Sequence, residues 1–118
     1  MPVKQPSAAD AFRASVAPEY NALLALSRAL QDKVPPGTGW NNSVHGRLAH
    51  CLNGALGNVQ IAQNIEGLRL TESSTESYLM RIEGAETQVE PALRPGPHLR
   101  ALKSKLADFL SNAAVLSV

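Results

Sequence analysis

Apolar residues recur along this chain at steps of three and four, the spacing that gathers side chains on one face of an α-helix, and no stretch alternates as a half-buried strand does. The first series is Phe12, Val16, Tyr20, Leu23, Leu24, Leu26, Leu30 and Val34, with the small polar Ser27 inside it. It predicts a helix that starts after Ser7, with Asp10 three residues on in the manner of a capping box. Pro18 falls within the pattern, where it removes one backbone bond and crowds the preceding turn. The helix is therefore expected to be kinked or broken near Val16 and Ala17, with Pro18 opening the longer part. Pro35, Pro36, Gly37 and Gly39 end it in a tight connection.

The second series is Val44, Leu48, Cys51, Leu52, Ala55, Leu56, Val59 and Ala62, with Asn41, Asn42 or Ser43 as the cap and an expected end near Leu70. Its opposite face is unusual. Gly46, His50, Asn53, Gly57, Gln60, Asn64 and Gly67 recur at alternating steps of four and three, and Leu48 to Ile65 is eighteen residues without Asp, Glu, Lys or Arg. An ordinary surface helix covers its outer face with charge. Glycine inside a helix costs about 1 kcal/mol relative to alanine, so a row of glycines and amides suggests a face that meets something other than bulk water. The same row also fits packing against the domain's own helices, or an exposed face that lacks charge.

Thr71 to Thr75 reads as a polar link, with Ser73 and Glu76 forming a capping box for a third helix that carries Tyr78, Ile82, Ala85, Val89 and Ala92 on one side. Pro91, Pro95, Gly96 and Pro97 stop it. A last helix starts at Pro97 and packs Leu99, Leu102, Leu106, Phe109, Leu110 and Ala113. Four amphipathic helices with short links predict an all-α fold, an antiparallel four-helix bundle. With 118 residues the natural reading is a single helical domain over 1–118, with 1–6 a flexible N-terminus and 94–97 a Pro/Gly link before the last helix.

Charge changes the picture only locally. The net charge is +1, which gives no overall pull toward nucleic acid or anionic membrane. Residues 71–93 carry five glutamates against Arg81, whereas 94–118 carry Arg94, Arg100, Lys103 and Lys105 against Asp108. Neighbouring helices with complementary flanks explain this balance. The basic set also defines an alternative, a small DNA-binding regulator whose last helix contacts phosphates.

Candidate chemistry is sparse. No Glu-x-x-His pair of the di-iron kind is present, and His45, His50 and His98 are not spaced to share a metal. Cys51 and His50 are adjacent in sequence, so they point about 100° apart on a helix. The helical glycines follow no strand and form no phosphate-cradling loop. No metal, cofactor or small-molecule substrate is indicated, and the chain does not read as an enzyme. A single cysteine gives no internal disulfide, and Cys51 sits on the apolar stripe as a small hydrophobe. His50, Asn53, Gln60, Gln63 and Asn64 interrupt the best apolar window, so no membrane span is expected. Met1 to Ser7 has no apolar run, which predicts a cytoplasmic protein; an uncleaved export signal would leave no such trace.

The expectation is a non-enzymatic helical interaction module that binds another protein or itself, as a homodimer, in an adaptor, chaperone, inhibitor or immunity-type role. Its expected interface is Trp40, His50, Asn53, Gly57, Gln60 and Asn64. Trp40 follows the Pro-Gly link and reads first as a plug over the end of the core; exposed, it would anchor a partner.

Overall fold

The apolar face that begins at Phe12 is carried by two helices, α1 (Ala8–Ser15) and α2 (Ala17–Asp32). Val16 alone separates them, turning with φ −111° and ψ 14°, and Pro18 lies in the first turn of α2. The computed structural model describes residues 8–116, with side chains as far as 112. The expected cap at Ser7, the stretch 1–6 expected to be flexible and the expected packing of Ala113 lie outside the described residues. Three further α-helices follow: α3 (Val44–Ile61), α4 (Ile65–Ile82) and α5 (Gly96–Leu116). Short 3₁₀ turns occupy Trp40–Asn42, Ala85–Gln88 and Pro91–Leu93, and no strand occurs among the described residues. The fold is all-α, with a bend at 94–95 before α5.

The boundary between α3 and α4 corrects the sequence reading. The expected helix from the Ser43 cap to Leu70 instead ends at Ile61, and Ala62 is extended at φ −61° and ψ 130°. A side chain from elsewhere in the chain holds this end. Arg13, on α1, donates to the backbone carbonyls of Val59 (3.0 Å), Gln60 (3.3 Å) and Ala62 (2.6 Å). Carbonyls in the last turn of a helix lack partners within it, and one guanidinium supplies three. Asn64 then opens α4, its side-chain oxygen accepting from the Gly67 amide at 2.9 Å.

Thr71 to Thr75 is therefore no link but the middle of α4. Its hydroxyls find partners that a loop would not need. Thr71 Oγ1 donates to the Gly67 carbonyl (2.8 Å) and reaches the Asn58 carbonyl of α3 (3.2 Å). Thr75 Oγ1 donates to the Thr71 carbonyl at 2.7 Å. Both threonines are buried, so without these bonds each would carry the desolvation cost of a lone hydroxyl. Ser73 is exposed within the helix and forms no cap. The third expected helix also ends early, at Ile82, and the chain reaches α5 through two 3₁₀ turns. There the Glu86 carboxylate accepts from the Gly96 amide at 2.8 Å and caps α5, a favourable place for negative charge.

The core is aliphatic. Leu23, Leu30, Leu48, Leu52, Leu68, Ile82, Leu99, Leu102 and Leu106 are among its fully buried side chains. Phe12 meets Phe109 edge to face, 5.4 Å between ring centres, and so pins α1 to α5. Consecutive helices pack together, α2 with α3, α3 with α4 and α4 with α5, while α5 also meets α2. Polar pairs fix the register: Ser27 Oγ donates to Asn53 Oδ1 at 2.6 Å, and Asn58 Nδ2 to Ser74 Oγ at 2.8 Å. Lys103 pairs with Glu76 at 2.7 Å and Lys105 pairs with Glu19, joining α5 to α4 and to α2.

Arg13→Ala removes the donor from three carbonyls at once, and hydrogen bonds to a charged group carry about 1.5–3 kcal/mol each when buried. Because Arg13 is partly exposed, the expected loss is about 2 kcal/mol in total, read as a lower urea midpoint. Arg13→Lys should recover only part of it, since an ammonium lacks the planar fork.

Candidate functional site

The uncharged face of α3 begins at Gly46, where the chain passes close over itself. A Cβ at Gly46 would lie 2.8 Å from Trp40 Cα and 2.9 Å from its carbonyl carbon, and closer still to the carbonyl oxygen. This glycine therefore lets the Trp40–Asn42 turn sit on the start of α3. One turn further on, the Trp40 indole stacks on the His50 imidazole at 4.0 Å with 14° between the planes. Trp40 remains 51% exposed. It is not the core plug that its position suggested, because the stack holds it against α3 at the surface.

The remaining positions of the row separate. Asn53 turns toward α2 and accepts the Ser27 hydroxyl, which in turn accepts from Gln31 Nε2 at 3.0 Å. Gly54, not in the row, faces α4, where a Cβ would meet the Tyr78 ring at 2.6 Å. Gly57 has nothing within 4 Å of where its Cβ would be. Gln60 is exposed. Asn64 is the cap of α4 and no longer continues the same helical face. Trp40 and His50 are thus brought together, Gly57 and Gln60 lie further along the outer surface, and Asn53, itself exposed, has its side-chain oxygen engaged by Ser27 of α2.

At the far end of α3 lies a feature the periodicity did not single out. Ile61 is 72% exposed and Leu70 is 71% exposed, and both line one groove between α3 and α4. Asn58, Asn64, Thr71 and Ser74 line the same groove. Ile61 was legible as an apolar residue off the apolar stripe. Leu70 was obscured because a helix end was expected there.

The basic set of the alternative reading is largely engaged. Arg94 Nε donates to the Val89 carbonyl at 3.2 Å, Lys103 is paired with Glu76 and Lys105 with Glu19. The Lys105 bond holds the Glu19 carboxyl below its ordinary range, and the Glu76 carboxylate raises the Lys103 ammonium above its own. Arg100 is exposed. Among the described residues no three His, Cys, Asp or Glu side chains are grouped to hold a metal ion, and no helix is long and apolar enough to cross a membrane. Cys51 is half-buried and lines the same cavity as Trp40 and Arg81, and burial pushes its thiol up despite the Arg81 charge. No family model, curated protein or solved structure matches the chain.

Two outcomes follow from the packing. Gly57→Ala should stabilise by about 0.5–1 kcal/mol, since it adds helix propensity into open space, whereas Gly46→Ala should cost about 1–3 kcal/mol through overpacking against fixed backbone; denaturant midpoints compare them directly. For Cys51, a raised pKa keeps the proton on to higher pH, and the thiolate is the reactive form. Alkylation by iodoacetamide at neutral pH should be slower than for free cysteine, with the rate climbing only above the usual thiol range of about 8.5. Urea should abolish the difference.

Proposed function

We propose that this protein is a small interaction module that acts by occupancy, and that it pairs with a second copy through the outer α3–α4 surface. The observation that carries this is the groove holding Ile61 and Leu70, two of the most exposed large apolar side chains, beside the charge-free part of α3. Exposed apolar side chains gathered on one surface mark contact sites. Gly57 leaves that surface open to close approach by another helix. The contacts of Arg13 with 59–62 and of Ser27 with Asn53, whose numbers rise on one side as they fall on the other, fit an antiparallel course of the α1–α2 segment against α3, as expected of neighbours in an antiparallel four-helix bundle. A DNA-binding role gains no comparable support, because three of its four cations already have intramolecular partners.

Light scattering across a concentration range tests the proposal. The wild-type chain should show a mass that is a multiple of 12.6 kDa. Gly57→Leu and the pair Ile61→Glu with Leu70→Glu should each return it to the monomer with helicity kept, as Ile61 and Leu70 are exposed and Gly57 faces open space. A monomer at every concentration, or association unchanged in these variants, overturns it.

A further inference from the structure

At the opposite end of α3 from the groove, a cavity of about 310 Å³ opens beneath the Trp40–His50 stack. Leu48 and Ile82, both buried, form its apolar floor. Two guanidiniums line it, from Arg47 on α3 and Arg81 on α4, and no carboxylate does. Neither arginine forms an ion pair among the described residues. The other arginines of α1 and α4, Arg13 and Arg69, are paired with acids one turn away. Arg81 instead lies over the Tyr78 ring, 5.6 Å from its centre, which restricts the side chain without neutralising it.

This combination selects a ligand class. A flat, partly exposed indole held by a stack and an apolar floor favour a flat ring. Two unpaired guanidiniums at the rim favour an anionic group, which arginine binds with paired N–H donors. The cavity lies at the small end of ligand pockets, which run from about 300 to 1,000 Å³. That size suits one or two fused rings.

We propose that the cavity between Trp40, Arg47 and Arg81 binds a planar aromatic anion, an aryl carboxylate or aryl phosphate, with the ring against the indole and floor and the charged group on the two arginines. The site is separate from the α3–α4 groove and does not depend on self-association.

Trp40 is the single tryptophan, so its emission reports directly on the cavity. Phenyl phosphate titrated into the full chain should give a saturable change in that emission, matched by calorimetry. Inorganic phosphate and benzyl alcohol, each carrying half of the recognition, should bind at least about tenfold more weakly. Arg47→Gln and Arg81→Gln should each weaken phenyl phosphate by about tenfold, with the circular dichroism unchanged because both side chains are exposed. Benzoate in place of phenyl phosphate identifies the preferred charged group, and tighter binding of either one supports the assignment. Absence of saturable binding by either anion up to about 10 mM, or affinity undiminished in both arginine variants, overturns it.

Discussion

The reach of Arg13 across to the end of α3 holds the corner between α3 and α4. An eight-residue helix such as α1 is too short to persist alone in water. It is held because Phe12 is buried against Phe109 of α5 while its neighbour Arg13 turns to the carbonyls of Val59, Gln60 and Ala62. One turn of α1 thus ties α5 to the α3–α4 corner. The corner itself contains no proline, and its one glycine, Gly67, is already inside α4. The local signal for a stop is the Asn64 cap of α4. A distant donor satisfies its last carbonyls, Asn64 satisfies the first amides of α4, and the chain reverses between them.

Hydrophobic burial alone would leave the helices free to slide, since it is non-directional. The directional contacts lie along α3. Asn53 takes a hydroxyl from α2, Asn58 gives an amide to α4, and Thr71 of α4 returns a hydroxyl to the Asn58 carbonyl. Such bonds contribute only about 1 kcal/mol each in net terms, but a displaced register would leave the buried Ser27 hydroxyl without its acceptor, which costs more. The amides of α3 serve this purpose on two sides at once, and this accounts for part of its missing charge.

What was legible in the sequence divides by range. The apolar periodicity correctly marks the buried series Phe12, Leu23, Leu30, Leu48, Leu52, Val59, Leu99, Leu102 and Leu106, because a helix face is a local property. The Ser43 cap and the start of α5 at the Pro-Gly link are local signals too. The α3–α4 corner was missed because the donor to the last carbonyls of α3 comes from a residue 46 to 49 positions away, and because Asn64, a local cap, also fits the four-and-three spacing of the α3 face. The Thr71–Thr75 run misled for a related reason. Hydroxyl residues favour loops when they compete with the backbone, and only the packed α3 supplies the partner that makes them good interior residues. For the candidate site, the unusual character of α3 was visible in its lack of charge. Which residue faces what was not: Asn53 proved bonded to α2, Asn64 a cap, and Ile61 and Leu70 two exposed apolar side chains on one groove.

The two ends of α3 differ in kind. One presents Ile61 and Leu70 among amides and hydroxyls; the other presents an indole and two unpaired guanidiniums over an apolar floor. His50 and Ile61 are eleven residues apart, roughly 16 Å along a helix at 1.5 Å per residue. Perturbations separated by more than about 7–10 Å, with no shared partner, act nearly independently. A second copy covering the groove would therefore leave the arginines in water, able to meet an anion. Coupling between the ends requires α3 to move as a rigid unit, and Arg13 together with the Asn53 and Asn58 contacts opposes that motion along the length between them. α3, charge-free beyond Arg47, is then best understood as a spacer fixed on both flanks, with a different surface chemistry at each end.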